Sequence, residues 1–374
     1  MSGSDASERY PGALHPMVSG DGLVVRLRPY NGRLRRAQAD GIASLAAAHG
    51  NSFLDLSSGG HLQIRGVREQ SYRGLIEGLR AMGLVDATPR IERLRNILVM
   101  PFWQPGDETE ALAAELTHAL ANDDAPDLPD AFGFAVDTGR KPVLQSADAD
   151  IRLECDAGGG LVLVADGMTT GKPVSEKTAV SEAMALARWF ADNRGAAPRM
   201  KSLIGAGMAP QGHFVPRQTS DYVPAPGGTP NGALLGLAFG QMGVDTLSSL
   251  AKHGGLRFTP WRLILVESAR QLPQIDGLIS DPSHPLLRIT ACAGAPHCLR
   301  ALNETRSVGH RLAPDLGSTQ TVHISGCALG CAHPGPAPVT ITATKTGYDM
   351  IKNGTAADTP VRTGLSPSDL NNAI

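Results

Sequence analysis

Four of the five cysteines in this chain fall late and in two pairs. Cys292 and Cys298 enclose five residues in TACAGAPHCLRAL, and Cys327 and Cys331 enclose three in HISGCALGCAHPG. Cys155, far upstream in RLECDAGGG, reads as a buried strand residue. Four clustered thiols can form disulfides, hold structural zinc, or carry a [4Fe–4S] cluster. Zinc pairs usually have about two to four residues between ligands, so the first pair is wide for that use. Disulfides are disfavoured in the reducing cytoplasm, the compartment expected here. An iron–sulfur cube needs thiolates on turns whose backbone N–H groups reach the sulfurs. The small residues of AGAPH and ALG meet that need, and the spacing favours the cluster. Pro296 further predicts a helix start, placing Cys298 in the first turn of CLRALNETRSVGHRL, where the helix dipole favours a thiolate.

Arginine is the second chemical signal. Between Arg26 and Arg95 there are twelve arginines, six acids and no lysine, the first lysine being Lys141. Most of these arginines read as solvated surface. Arg26 and Arg28 are two apart on an alternating strand and share a face, as do Gln63 and Arg65. A planar guanidinium on such a face suits a carboxylate ligand. The chain as a whole is nearly neutral, with formal net charge −2, which excludes a global basic field for nucleic acid. No apolar run reaches the roughly 18 residues of a membrane span. MSGSDASERYPG has no apolar core and reads as a loose tail.

The elements that must position these groups follow from periodicity. GDGLVVRLRPYNG alternates as a strand, LRRAQADGIASLAAAHGN has helical spacing with a glycine stop, SFLDLSSGGHLQIRGV is a hairpin, and YRGLIEGLRAMGL is a helix. GALLGLAFGQM, VDTLSSLAKHGG and LRFTPWRLILVES repeat the order, and SLAAAHGN echoes SLAKHGG, predicting a duplicated unit. Between the copies, RIERLRNILVMPFW reads as a strand and ETEALAAELTHALAND as a helix. DAFGFAVD, ADIRLECD and GLVLVAD read as strands, and SEKTAVSEAMALARWFADN as a helix. APQGHFVPRQTSDYVPAPGGTPNG is a linker. The expected organisation is α+β: a first ferredoxin-like half repeat (14–88), a central α/β domain (89–221), a second half repeat (222–280) and a cysteine-bearing domain (281–374), with the two halves pairing into one domain.

Both cysteine pairs, the two half repeats, HLQIRG (61–66), LRNILV (94–99) and LPDAFGFAVD (128–137) together resemble the siroheme sulfite and nitrite reductases. Within that superfamily PMVSGDGLVVRLRP, SADADIRL, GLAFGQM, LRFTPWR and CAHPG are similar to the precorrin-3B synthases of aerobic cobalamin biosynthesis. The reductases carry a basic pair in LP-x-K-F-K that holds their small anion. Here Ala131 and Gly133 stand in those places, and Gly59 replaces an arginine before HLQIRG. A site without those cations is expected to stabilise sulfite or nitrite poorly.

The resemblance implies O2-dependent hydroxylation of precorrin-3A at carbon 20 with γ-lactone formation. It implies a [4Fe–4S] cluster on Cys292, Cys298, Cys327 and Cys331, a mononuclear non-haem iron and an external electron donor. Arg26, Arg28, Gln63, Arg65, Arg95 and Arg262 would meet the carboxylates of the macrocycle, with Arg28 and Arg95 matching arginines at the distal face of the reductases' tetrapyrrole. His213, His323 and His333 lie near the site segments, but no facial-triad spacing marks them as iron ligands. Two other readings stay open: a siroheme-dependent sulfite or nitrite reductase, in which siroheme would be bound, and a non-catalytic iron–sulfur carrier or sensor.

Overall fold

The computed structural model describes residues 11–373, so all but the last two residues of the expected N-terminal tail lie outside it. The first repeat contains strands Met17–Ser19, Gly22–Leu27, Phe53–Leu56 and Leu62–Val67 and helices Arg36–His49 and Glu69–Ala81. The second contains strands Gly227–Thr229, Gly232–Leu237, Leu256–Phe258 and Leu263–Glu267 and helix Val244–His253. Alternation decides which face of the first sheet is apolar. Leu23, Val25, Leu27, Leu62 and Ile64 enter the core, while Arg26, Arg28, Gln63 and Arg65 take the intervening positions.

The two sheets trade edge strands. Gln241–Gly243, from the second repeat, pairs with Phe53–Leu56 of the first. Arg33–Leu34, from the first, pairs with Leu256–Phe258 of the second. Each exchanged strand follows a short turn in which a left-handed non-glycine residue, Asn31 at φ 54° or Phe239 at φ 56°, precedes a left-handed glycine. That conformation is uncommon for a bulky side chain. Its recurrence at matching places marks the duplication in the backbone itself. The repeats therefore share one core, where Leu34, Ile42 and Leu54 pack with Leu235, Leu247 and Phe258.

The central domain has its own core around Trp103, Phe132, Phe134 and Phe190. Its six strands lie in the order Val215–Pro216, Thr170–Pro173, Leu161–Ala165, Ile151–Cys155, Phe134–Asp137, Ile97–Val99, with helices Glu108–Ala121 and Glu176–Asn193 among its elements. Cys155 is buried on a strand, as expected. RIERLRNILVMPFW departs from the single strand expected. Pro89–Leu94 is a helix, and only Ile97–Val99 is strand. Thr88 explains this, because its hydroxyl caps the Ile91 amide at 3.2 Å with proline at the first helical position.

In the C-terminal domain, strands Ile289–Ala291, Val322–Ser325 and Ala337–Thr344 run parallel, and Gly347–Gly354 and Arg362–Leu365 continue antiparallel. The helix expected to begin at Pro296 starts only at Arg306 and ends at Leu312. Backbone bonds from Ala295 to Asn303 and from Leu302 to Gly326 fold the intervening residues into a closed loop, so Cys298 lies on a turn. Among the described residues no helix is long and apolar enough to cross a membrane.

Candidate functional site

The parallel sheet brings the cysteines together. Ile289–Ala291 and Val322–Ser325 are hydrogen-bonded neighbours in register, Ala291 beside Ile324. Cys292 and Cys327 follow their last residues, so both pairs leave the same sheet edge. The Gly326 amide donates to Cys292 Sγ at 3.2 Å, and the Thr305 hydroxyl donates to the Cys292 carbonyl at 2.6 Å. Gly294 holds φ 68° against Thr305, where a Cβ would collide with the threonine, so only glycine fits this turn. Burial pushes the Cys327 thiol up; the Leu329 amide opposes this, and Cys298 and Cys292 add to it. Cys298 and Cys292 thus lie close enough to Cys327 for their charge to be felt there, and Cys331 is exposed on the adjoining loop.

Among the described residues, no three His, Cys, Asp or Glu side chains close on one point as a single metal ion requires. A four-iron cube is different, because its ligands stand around a body rather than a point. Four thiols on small-residue turns, with a backbone N–H directed at one sulfur, are a donor set that fits such a cluster.

The arginines divide into two groups. Arg26 faces Gln63 across the sheet; the glutamine oxygen, turned toward it, accepts from Nε at 3.2 Å and Nη2 at 3.0 Å. Arg28 is buried. Its Nη1 donates to the Glu92 carbonyl, and its Nε is buried without a partner. Burial lowers its pKa to about 10, with Glu92 opposing. Arg95 is already neutralised, forking onto Asp86 at 2.8 and 2.7 Å. It also donates to the Arg28 carbonyl at 2.8 Å and stacks 4.1 Å from the centre of the Tyr30 ring. His61 belongs with this group and was missed in the sequence. Burial, then Arg28, Arg26 and Arg95, hold its pKa well below the ordinary value, so the imidazole is neutral.

Arg65 and Arg262 belong instead to the cysteine loops. Arg65 donates to Asp21 Oδ1 at 3.0 Å, to the Ser19 hydroxyl at 3.3 Å and to the His297 carbonyl at 2.7 Å. Asp55 lies 3.7 Å from it and pairs with Arg306 at 2.9 Å. Arg262, at φ 59°, donates to the Ala332 carbonyl at 3.1 Å. Burial and Arg306 lower its pKa to about 10, while Asp55 and Cys292 oppose them. His61, just before the strand Leu62–Val67, and Gln63 and Arg65 on it take alternate positions, so the span from His61 to Arg65 is roughly 13 Å at about 3.3 Å per residue.

The positions that carry cations in the reductases offer none here. A Cβ on Gly133 would meet the Asn96 amide at 2.9 Å, and that amide is held by the Phe132 carbonyl at 3.0 Å. A Cβ on Gly59 would come within 3.3 Å of the His61 ring, so glycine there makes room for the histidine. His323 is buried with neither ring nitrogen partnered, and its ring centre lies 5.6 Å from that of His333. His213 is exposed on the loop that follows the central domain's helices.

Comparison with known proteins agrees with this architecture. Residues 15–82 match the nitrite/sulfite reductase ferredoxin-like half domain. The NirA protein of Mycobacterium tuberculosis has the same fold, with TM-score 0.66, 18% identity, and coverage of 94% of this chain and 79% of that one. The molecule is α+β and sulfite-reductase-like in fold, two ferredoxin-like halves forming one domain beside two α/β domains. The chain is also similar to the precorrin-3B synthase of a Sinorhizobium species, 29% identical, spanning 94% of this chain and 83% of that protein.

Proposed function

We propose that this protein is a precorrin-3B synthase, converting precorrin-3A to its 20-hydroxy γ-lactone with O2. The observation that carries the reading is the similarity to precorrin-3B synthase along almost the whole chain. The absent cations at Ala131 and Gly133 support it over reduction of a small anion. One oxygen atom enters the macrocycle and the other leaves as water, so two electrons and two protons come from an external donor. Cys292, Cys298, Cys327 and Cys331 would hold a [4Fe–4S] cluster. When bound, that cluster supplies one-electron transfer and a mononuclear non-haem iron supplies oxygen activation.

The protein's own residues bind and orient the macrocycle. Arg28 offers a desolvated guanidinium with an unpartnered Nε, which suits a carboxylate more than water. Gln63 holds the Arg26 fork in place, and Arg95 fixes the backbone carbonyl of Arg28. Neutral His61 adds a hydrogen-bonding group without further positive charge.

The test is protein purified without oxygen and assayed for iron, acid-labile sulfide and tetrapyrrole, then given reductant, precorrin-3A and isotopically labelled O2. The expected result is iron and sulfide without haem, and one labelled oxygen in the product. An intense haem spectrum with sulfite or nitrite turnover would overturn the reading in favour of a reductase. Absence of any turnover with an intact cluster would favour a carrier or sensor.

A further inference from the structure

Arg65 and Arg262 come from different half repeats, yet each ends on a carbonyl beside the outer cysteine of a pair. Arg65 reaches His297, immediately before Cys298, and Arg262 reaches Ala332, immediately after Cys331. We infer that these two arginines are positioning residues for the thiolate loops rather than contacts to the substrate, and that Arg65 is the stronger clamp. This inference rests on the reading that the four cysteines carry an iron–sulfur cluster.

Three observations bear on Arg65. The His297 carbonyl accepts twice, from Arg65 at 2.7 Å and from the Ser19 hydroxyl at 2.6 Å. In a trans peptide the C=O and the following N–H point opposite ways, so fixing that carbonyl fixes the direction of the Cys298 amide. The turn that carries Ser19 is pressed against the same segment. A Cβ on Gly20 would fall on the Pro296 carbonyl oxygen and lie 3.2 Å from the Cys298 nitrogen, so only glycine allows the approach. Finally, two of the three guanidinium nitrogens, Nε and Nη2, are taken by protein. Asp21 takes two of its bonds and lies 3.4 Å from the His297 ring, while Asp55 stands on the other side and joins Arg306. A substrate carboxylate forking onto those two nitrogens would have to displace Asp21 from a buried pair, which is costly.

Such a clamp acts on a cluster in two ways. It sets the direction of an N–H beside a thiolate, and it places a cation next to two buried carboxylates. Hydrogen bonds and local charge both set the potential of an iron–sulfur centre. Removing Arg65 leaves Asp21 and Asp55 without their shared partner. The field near the cluster becomes more negative, and the potential should fall.

The experiment compares Arg65→Met, Arg65→Lys, Ser19→Ala and Arg262→Met with the parent protein, all prepared without oxygen. Three readouts are taken: iron and sulfide per chain, midpoint potential, and amide exchange across residues 292–303. Arg65→Met should shift the potential negative and speed exchange in that segment, with precorrin-3A affinity unchanged. Arg65→Lys should lie between, because an ammonium cannot fork onto Asp21 while also reaching His297. Ser19→Ala removes one bond to the His297 carbonyl and keeps the ion pairs, so it tests the clamp if Arg65→Met fails to fold. Arg262→Met should speed exchange across residues 327–333. Unchanged potential and exchange in Arg65→Met and Ser19→Ala would overturn the inference, as would lost substrate affinity with both unchanged. Cys298→Ala separates this from the reading beneath it. If that variant keeps its iron and sulfide, the cluster assignment itself is wrong.

Discussion

At the scale of single residues, charge is unevenly committed. Arg65 and Arg95 are paired with protein carboxylates, whereas Arg28 keeps a buried Nε without a partner. A hydrogen bond to a charged group contributes about 1.5–3 kcal/mol, so Arg28→Ala should weaken precorrin-3A binding roughly ten- to hundredfold in anaerobic titration. Unaltered affinity would remove Arg28 from the site. Cys298→Ala should lose iron and sulfide together. His61 makes a pH prediction. Its folded pKa is depressed below the ordinary 6.5, so the unfolded chain binds a proton that the folded chain refuses. Stability should fall as pH drops below about 6.5 toward the folded pKa, and His61→Asn should flatten that limb. Thermal melts of the two proteins between about pH 5 and 7 measure it. That Arg26 lies on a strand beside the one carrying Gln63 was legible from alternation, and the register sets the two opposite each other. The partner of Arg65 was not, because His297 lies 232 positions away and nothing local announces it.

At the scale of elements, short exchanged strands decide the fold. Leu34 lies on a two-residue strand, fully buried in the joint core. Leu34→Ala should cost about 2–5 kcal/mol, read as a lower urea midpoint at unchanged slope. A change near zero would mean that the exchange contributes little. Both repeats were readable, since their helices and hairpins are long enough to show a period. The exchange was not. Arg33–Leu34 and Gln241–Gly243 are too short for any pattern, and their pairing is wholly non-local. The helix Pro89–Leu94 was misread for a related reason: six residues show no clear period, and the cue was the cap Thr88 followed by proline. The loop at Cys298 shows the opposite error. Pro296 is a valid helix-start signal, overridden there by hydrogen bonds from Ala295 and Leu302 to distant carbonyls.

At the scale of the whole molecule, the cores differ in how they are assembled. The fully buried residues of the central core all lie at positions 94–203, with Trp261 the one packed neighbour from the second repeat, so residues 89–221 expressed alone should fold cooperatively. Near-ultraviolet dichroism from buried Trp103 would report this, and a molten spectrum would count against it. The paired-repeat core needs residues 13–84 and 235–266 together. A nascent chain leaving the ribosome therefore completes its amino-terminal portion long before the strands that must close it exist. Its half-built sheet waits, with Leu34 unburied, through synthesis of the whole intervening domain. Slow translation or chaperone shortage should injure this protein first at that exposed edge, and fusing the two halves in tandem should relieve it.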